Sequence, residues 1–170
     1  MLILPGLHIF VVLQTLIGIN MSTYTQIIYQ IVFGSKDYTD FLNKENQGSL
    51  FGYIVGMLRK RECHPYQVGG YGNHIHILTH LSTTITLADL VREIKKASHE
   101  MMVREKTLFK LFPGWQVGYG AFTYHISMKS VLIKYIQNQE EHHRKISFKE
   151  EMIELLNENM IPFKEEYLLV

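Results

Sequence analysis

The feature that most constrains the fold is Gly69-Gly70-Tyr71-Gly72-Asn73, a glycine-rich stretch joining two β-type runs, Cys63 to Gly70 and Asn73 to Leu81. Glycines permit the backbone conformations of a tight reversal, so the stretch reads as a hairpin turn. A phosphate-binding loop also uses clustered glycines, but neither a helix start nor a Lys-Ser/Thr pair follows. On either side lies a segment of helical spacing. Gly48 to Arg61 repeats Leu50, Tyr53, Ile54, Met57 and Leu58 on one face, with basic residues in its last turn. Thr84 to Glu105 opens on the polar start Thr86-x-x-Asp89 and continues through Leu87, Leu90, Val91, Ile94, Ala97, Met101 and Met102. A first strand is predicted over Tyr24 to Phe33, ending at Gly34-Ser35-Lys36-Asp37, and a fourth over the aromatic-rich Trp115 to Ile126 after a loop closed by Pro113-Gly114. Gly118 and Gly120 mark either a bulge or a close approach of another backbone or of DNA. The order strand, helix, strand, strand, helix, strand is that of an α+β, ferredoxin-like (RRM-like) antiparallel sheet with two helices on one face.

The second hairpin strand contains His74-Ile75-His76. Successive side chains of a strand point to opposite faces, so the two imidazoles look the same way while Ile75 and Ile77 look the other. Both belong on a half-exposed face, the one the two helices leave free. Neutral imidazoles at this separation suit a divalent metal, although an isolated His-x-His is more often just two strand histidines. A further helix, Met128 to Lys145, aligns Val131, Leu132, Tyr135, Ile136, Gln139, His142 and His143 on one face and would cover the free side of the sheet. Tyr135 and Gln139 are one turn apart, so a phenol projects beside an amide oxygen. Taken alone, that pair also reads as a tyrosine at a core edge and a solvated glutamine. Phe148 to Asn157 reads as a final acidic helix before Pro162.

Together, His74-Ile75-His76 and Tyr135-Ile136-x-Asn138-Gln139-x-x-His142-His143 resemble the single-tyrosine HUH transposases of the insertion-sequence 200/605 type. The likeness extends from Ser22-Thr23-Tyr24-Thr25-Gln26 through Trp115-Gln116-Val117-Gly118-Tyr119-Gly120-Ala121-Phe122 to the tail. It implies cleavage and rejoining of single-stranded DNA at the ends of an insertion sequence, with Tyr135 as the catalytic nucleophile and a 5′-phosphotyrosine intermediate. It also implies a divalent ion on His74, His76 and Gln139. That mixed nitrogen and oxygen ligand set suits Mg²⁺ or Mn²⁺. His142, His143 and Asn138 match the motif as supporting residues without a legible role. The partners implied are single-stranded DNA with hairpin ends and a second copy of the chain, in a homodimer whose tyrosine helix acts in trans. The edge of the fourth strand and the linker Ser127 to Ser130 would permit such pairing.

Composition narrows the alternatives. At 170 residues the chain is the size of one domain, and with a formal net charge of +1 any binding that depended on bulk charge would be weak. Charge is unevenly placed: residues 21–145 carry fifteen Lys and Arg against ten Asp and Glu, and residues 146–170 two against six. DNA contacts would need local clusters such as Arg59-Lys60-Arg61 or Arg92, Lys95 and Lys96. A lone cysteine, Cys63, fits a reducing cytoplasm and reads as a buried strand residue. Residues 1–20 are apolar and free of Lys, Arg, Asp and Glu, yet Pro5, Gly6, His8 and Gln14 and the lack of a basic start argue for an extension preceding a single domain at 21–170, not a membrane anchor. A different reading of the same sheet is a non-catalytic single-stranded nucleic-acid-binding module that stacks bases on Tyr119, Phe122 and Tyr124. A metal- or small-molecule-binding domain without nucleic acid is the third. The pure binding module has no need of Tyr135 and Gln139 one turn apart within reach of a histidine pair.

Overall fold

The computed structural model describes residues 24–168; the expectations for Met1–Asn20 and for Ser22-Thr23 lie outside the described residues. Strands β1 (Ile28–Gly34), β2 (His64–Tyr71), β3 (His74–His80) and β4 (Gly120–Tyr124) form one sheet in the order β2-β3-β1-β4. All neighbours are antiparallel. Helices α1 (Gln47–Lys60) and α2 (Leu87–Arg104) complete the anticipated ferredoxin-like arrangement.

One face of the sheet is hydrophobic by strand alternation. Ile31 and Phe33 of β1 and Ile75 and Ile77 of β3 are buried against Leu50, Ile54 and Leu58 of α1 and Leu90, Val91 and Ile94 of α2. At about 1.5–3 kcal/mol for each fully buried aliphatic or aromatic side chain, this layer is the main source of stability. Thr86 caps α2 by accepting from the Asp89 amide at 3.1 Å, as its sequence indicates.

The opposite face carries Gln30, Val32, His74, His76, Leu78 and Phe122 and is closed by three shorter helices, α3 (Lys129–Gln137), α4 (Gln139–His142) and α5 (Phe148–Glu158). Leu132 and Ile136 of α3 pack on Ile28 and Leu78, while Phe148, Met152 and Leu155 of α5 pack on Val32 and Phe122. His74 and His76 are therefore 0% exposed, not half-exposed as the sequence suggested. Phe122 is buried in the same layer, which removes it from the base-stacking aromatics of the alternative reading, while Tyr119 stays exposed.

Other boundaries shift for local reasons. Gly69 and Gly70 lie inside β2, leaving Gly72-Asn73 as the reversal, with Gly72 at φ 57°. Gly70 pairs with Ile75 in the ladder, and the position takes no side chain because a Cβ there would stand 2.2 Å from the His74 carbonyl oxygen. β4 begins only at Gly120: Trp115 makes a single bridge to Ser35 and turns inward, its Nε1 donating to Ser98 Oγ at 3.0 Å. A Cβ on Gly118 would meet nothing within 4 Å, so no backbone approaches that side of it, and its carbonyl accepts from Lys95 Nζ at 2.5 Å. The expected single helix over Met128 to Lys145 is broken at Asn138 (φ −96°, ψ 19°), and the Ser127–Ser130 linker is a 3-10 turn, Ile126–Met128, running straight into α3. Among the described residues no helix is long and apolar enough to cross a membrane.

Candidate active site

Strand β3 delivers two histidines to one point, and α3 to α5 deliver the rest. His74 Nδ1 lies 3.1 Å from Asn73 Oδ1, and its Nε2 lies 3.0 Å from Gln139 Oε1. His76 accepts at Nδ1 from Gln30 Nε2 at 3.1 Å and turns Nε2 into the site. Tyr135 stands edge-on to His76 with ring centroids 5.8 Å apart. Despite the break at Asn138, Tyr135 and Gln139 converge: the Tyr135 hydroxyl and the Gln139 amide both donate to Glu151 Oε1, the latter at 3.0 Å. The structure thus brings together Tyr135, His74, His76 and Gln139, the four residues singled out in the sequence.

Glu151 was missed. It lies on α5, is 1% exposed, and turns Oε2 towards the Nε2 atoms of His76 and His143 at 3.3 Å and of His74 at 3.5 Å. The signal was available in the helix pattern, since Phe148, Glu151, Met152 and Leu155 share one stripe and a carboxylate there is out of place. Ser147 fixes the start of α5 through a capping box with Glu150, and Phe148 stacks on His74 with centroids 4.3 Å apart.

His142 and His143 acquire places that the sequence could not assign. His143 Nε2 donates to Gln139 Oε1 at 2.9 Å, and its Nδ1 faces the Ile146 carbonyl at 2.9 Å. His142 Nε2 stands 3.4 Å from Glu151 Oε1. Asn138 directs no side-chain hydrogen bond into the site and marks the junction between α3 and α4. A pocket of about 320 Å³ lined by Gln30, Leu132, Tyr135, His142 and Glu151 opens onto the phenol.

Electrostatics set the protonation states. Burial pushes His74 down to about 3, helped by the neighbouring His76, so its imidazole is neutral at ordinary pH. Burial and then the Glu151 charge raise Tyr135 well above the usual phenol range. Burial alone would raise Glu151, but His76, His143 and His74 outweigh it and hold the carboxyl far below its ordinary value. Burial likewise opposes protonation of His143, and the Glu151 carboxylate beside it reverses that, leaving it raised.

These states reveal a deficit. Both His74 nitrogens face oxygens, Asn73 Oδ1 and Gln139 Oε1, yet a neutral imidazole has one N–H. His76 Nε2 and Glu151 Oε2 are buried without a hydrogen-bond partner, as is Gln30 Oε1. Turning the Gln30 amide over would let Oε1 accept from His76 Nδ1–H and free the Nε2 lone pair. Adjacent ligands of an octahedral ion with bonds of about 2.1 Å stand about 3.0 Å apart, which is the separation of His74 Nε2 and Gln139 Oε1. The donor set therefore fits a divalent cation. Among the described residues, His74, His76 and Glu151 hold ligand atoms within 4.8 Å of one another, and so do His142, His143 and Glu151.

The basic residues expected to meet DNA lie elsewhere. Arg92, Lys95 and Lys96 belong to α2, across the sheet from Tyr135. Lys95 is not a free cation: its Nζ donates to the Gln116 and Val117 carbonyls at 2.9 and 3.3 Å, and burial pushes it down to about 8. Arg92 pairs with Asp89 at 2.6 Å, while Lys96 is exposed.

Comparison with solved structures finds the same fold in a protein of Deinococcus radiodurans R1 assigned as a transposase (TM-score 0.55, 19% identity, covering 69% of this chain and 95% of that one). It also finds the REP-associated tyrosine transposase bound to a REP hairpin (TM-score 0.51, 18% identity, covering 72% and 74%). Comparison with curated proteins yields no match. The profile of IS200-like transposases matches residues 23–139, a span from before β1 to Gln139 that takes in both histidines and the tyrosine, and by that match the chain belongs to the IS200-like transposase family.

Proposed function

We propose that this chain cuts and rejoins single-stranded DNA through a 5′-phosphotyrosine link formed by Tyr135, with His74, His76 and Gln139 holding a divalent ion of the Mg²⁺ or Mn²⁺ kind. The observation that carries this reading is the convergence of the Tyr135 phenol, the His74 and His76 imidazoles and the Gln139 amide around Glu151, beside a pocket of about 320 Å³ that Tyr135 and Glu151 line. An ion held there would polarise the scissile phosphate and offset charge on the departing 3′-oxygen. The chain's own residues do the rest. Tyr135 is protonated at neutral pH, and its O–H already donates to a carboxylate oxygen, which fixes the direction of the phenol; the proton the phenol loses is matched by the one the departing 3′-oxygen gains. As the tyrosine oxygen bonds to phosphorus, the P–O3′ bond breaks and a free 3′-OH is released. The link conserves the energy of the phosphodiester, so a 3′-OH returning to it restores a DNA strand without ATP.

The proposed partners are hairpin-bearing single-stranded ends, a reading supported by the hairpin-bound relative of the same fold, and a second copy of the chain. Within one chain, α3 closes on its own β2 and β3. A two-fold pair in which the segment after Met128 is exchanged would make the same contacts with the partner's sheet. The test of the reaction is incubation of the protein with single-stranded element ends and Mg²⁺ or Mn²⁺, followed by a denaturing gel. A covalent adduct dependent on Tyr135 supports the proposal. Cleavage without an adduct points to a hydrolytic nuclease and refutes it.

A further inference from the structure

Glu151 lies twelve residues beyond the span that matches the family profile, on a helix whose other inward residues, Phe148, Met152, Leu155 and Leu156, serve only packing. A carboxylate at a core position is costly unless its charge is met. Oε1 is met by the Tyr135 hydroxyl and the Gln139 amide. Oε2 is not: three imidazole Nε2 atoms stand 3.3 to 3.5 Å away, and none makes a hydrogen bond to it. The nearest of them on the strand, His76 Nε2, is itself unpartnered. Two buried ligand atoms face each other at 3.3 Å with nothing between them to satisfy both.

We infer that Glu151 is a further ligand of the divalent ion, binding through Oε2 beside His74 and His76, so that the C-terminal helix α5 is part of the active centre. This rests on the divalent-ion reading above and adds a charge to it. Two neutral imidazoles and an amide leave the ion's double charge uncompensated in a buried site, whereas a carboxylate neutralises half of it. A role confined to folding, as an ion-pair partner for His143, is the competing account.

The experiment is Mn²⁺ titration by calorimetry and Co²⁺ titration by visible absorption, on the full chain freed of metal, for the wild type, Glu151→Gln and His76→Ala. Glutamine keeps the shape of the side chain and an oxygen for Tyr135 but loses the charge. The inference requires Glu151→Gln to bind Mn²⁺ at least tenfold more weakly, with a shifted Co²⁺ spectrum and an unchanged circular dichroism spectrum. Wild-type affinity in Glu151→Gln, with binding lost in His76→Ala, would overturn the role of Glu151 and leave the histidine site standing. Absence of binding in the wild type would overturn both. Should Glu151→Gln not fold, Glu151→Asp takes its place, since it keeps the charge but draws the oxygens back by one methylene. Weakened binding and a shifted Co²⁺ spectrum in that variant sustain the inference, and wild-type values overturn it.

Discussion

Replacing Gly69 by alanine tests how the tyrosine helix is seated. Gly69 lies in β2 directly under α3, and a Cβ built there would stand 2.7 Å from Ile136 Cγ2 and 2.9 Å from the Ile136 carbonyl oxygen. Ordinary carbon contacts fall at about 3.5–4.0 Å, so the helix would have to withdraw by about 1 Å. A change of rotamer could relieve the first clash but not the second, because the second is with backbone. Overpacking of this kind costs about 1–3 kcal/mol. For a domain of this size that is a fall in Tm of about 2–12 °C. The catalytic consequence should be larger than the thermodynamic one. Ile136 follows Tyr135 directly, and a displacement of about 1 Å at a reacting group commonly costs about a hundredfold in rate. Gly118→Ala is the control, since that position is exposed and a Cβ there would meet nothing within 4 Å, so it should stay within about 0.5 kcal/mol of the wild type. Thermal unfolding together with single-turnover cleavage of a labelled strand measures both effects. Unchanged stability and rate in Gly69→Ala would refute the claim that β2 sets the position of Tyr135.

Three further outcomes are expected. His76→Ala should abolish Mn²⁺ binding and cleavage and also lower Tm, because the side chain is fully buried and its loss leaves Glu151 short of a partner; calorimetry and unfolding curves check this, and an active variant would contradict it. Mixing inactive Tyr135→Phe with inactive His76→Ala should restore cleavage after subunit exchange if the tyrosine acts in trans, and a monomer by light scattering with no recovery would assign it in cis. Stability of the metal-free protein should fall on acidification. His74 is held at about 3 in the folded chain against an ordinary 6.5, so the unfolded chain takes up the proton first and stability drains away below about pH 6.5. Glu151, held below its ordinary 4.5, adds a second loss below about pH 4.5, and the raised His143 acts in the opposite sense. Urea midpoints that stay flat between pH 7 and pH 4 would contradict those protonation states.

Much of this architecture is legible in the sequence because it follows from periodicity. Alternation along His74 to His80 assigns Ile75 and Ile77 to the helix layer and both histidines to the other face, and spacing by four aligns Tyr135 with Gln139. What was not legible depends on packing between distant elements. Alternation says which way His74 and His76 point, but only the docking of α3 and α5 buries them. The continuous helical pattern from Met128 to Lys145 conceals the break at Asn138, since residues on both sides of it keep the same inward face. Phe122 looked like a base-stacking aromatic because nothing local shows that Met152 lies over it. Glu151 was read as one of many acids in an acidic tail, although its place between Phe148 and Met152 set it apart.

The most direct test of the central claim is the adduct itself. Single-stranded element ends labelled at the 3′ terminus of the strand downstream of the cut are incubated with Mn²⁺ and either wild-type protein or Tyr135→Phe, then denatured and resolved by mass. The expected result is a label covalently attached to the wild type, mapped to the peptide containing Tyr135, and none on Tyr135→Phe despite equal DNA binding. An adduct of the same yield on Tyr135→Phe, or attachment mapped to another residue, would contradict it.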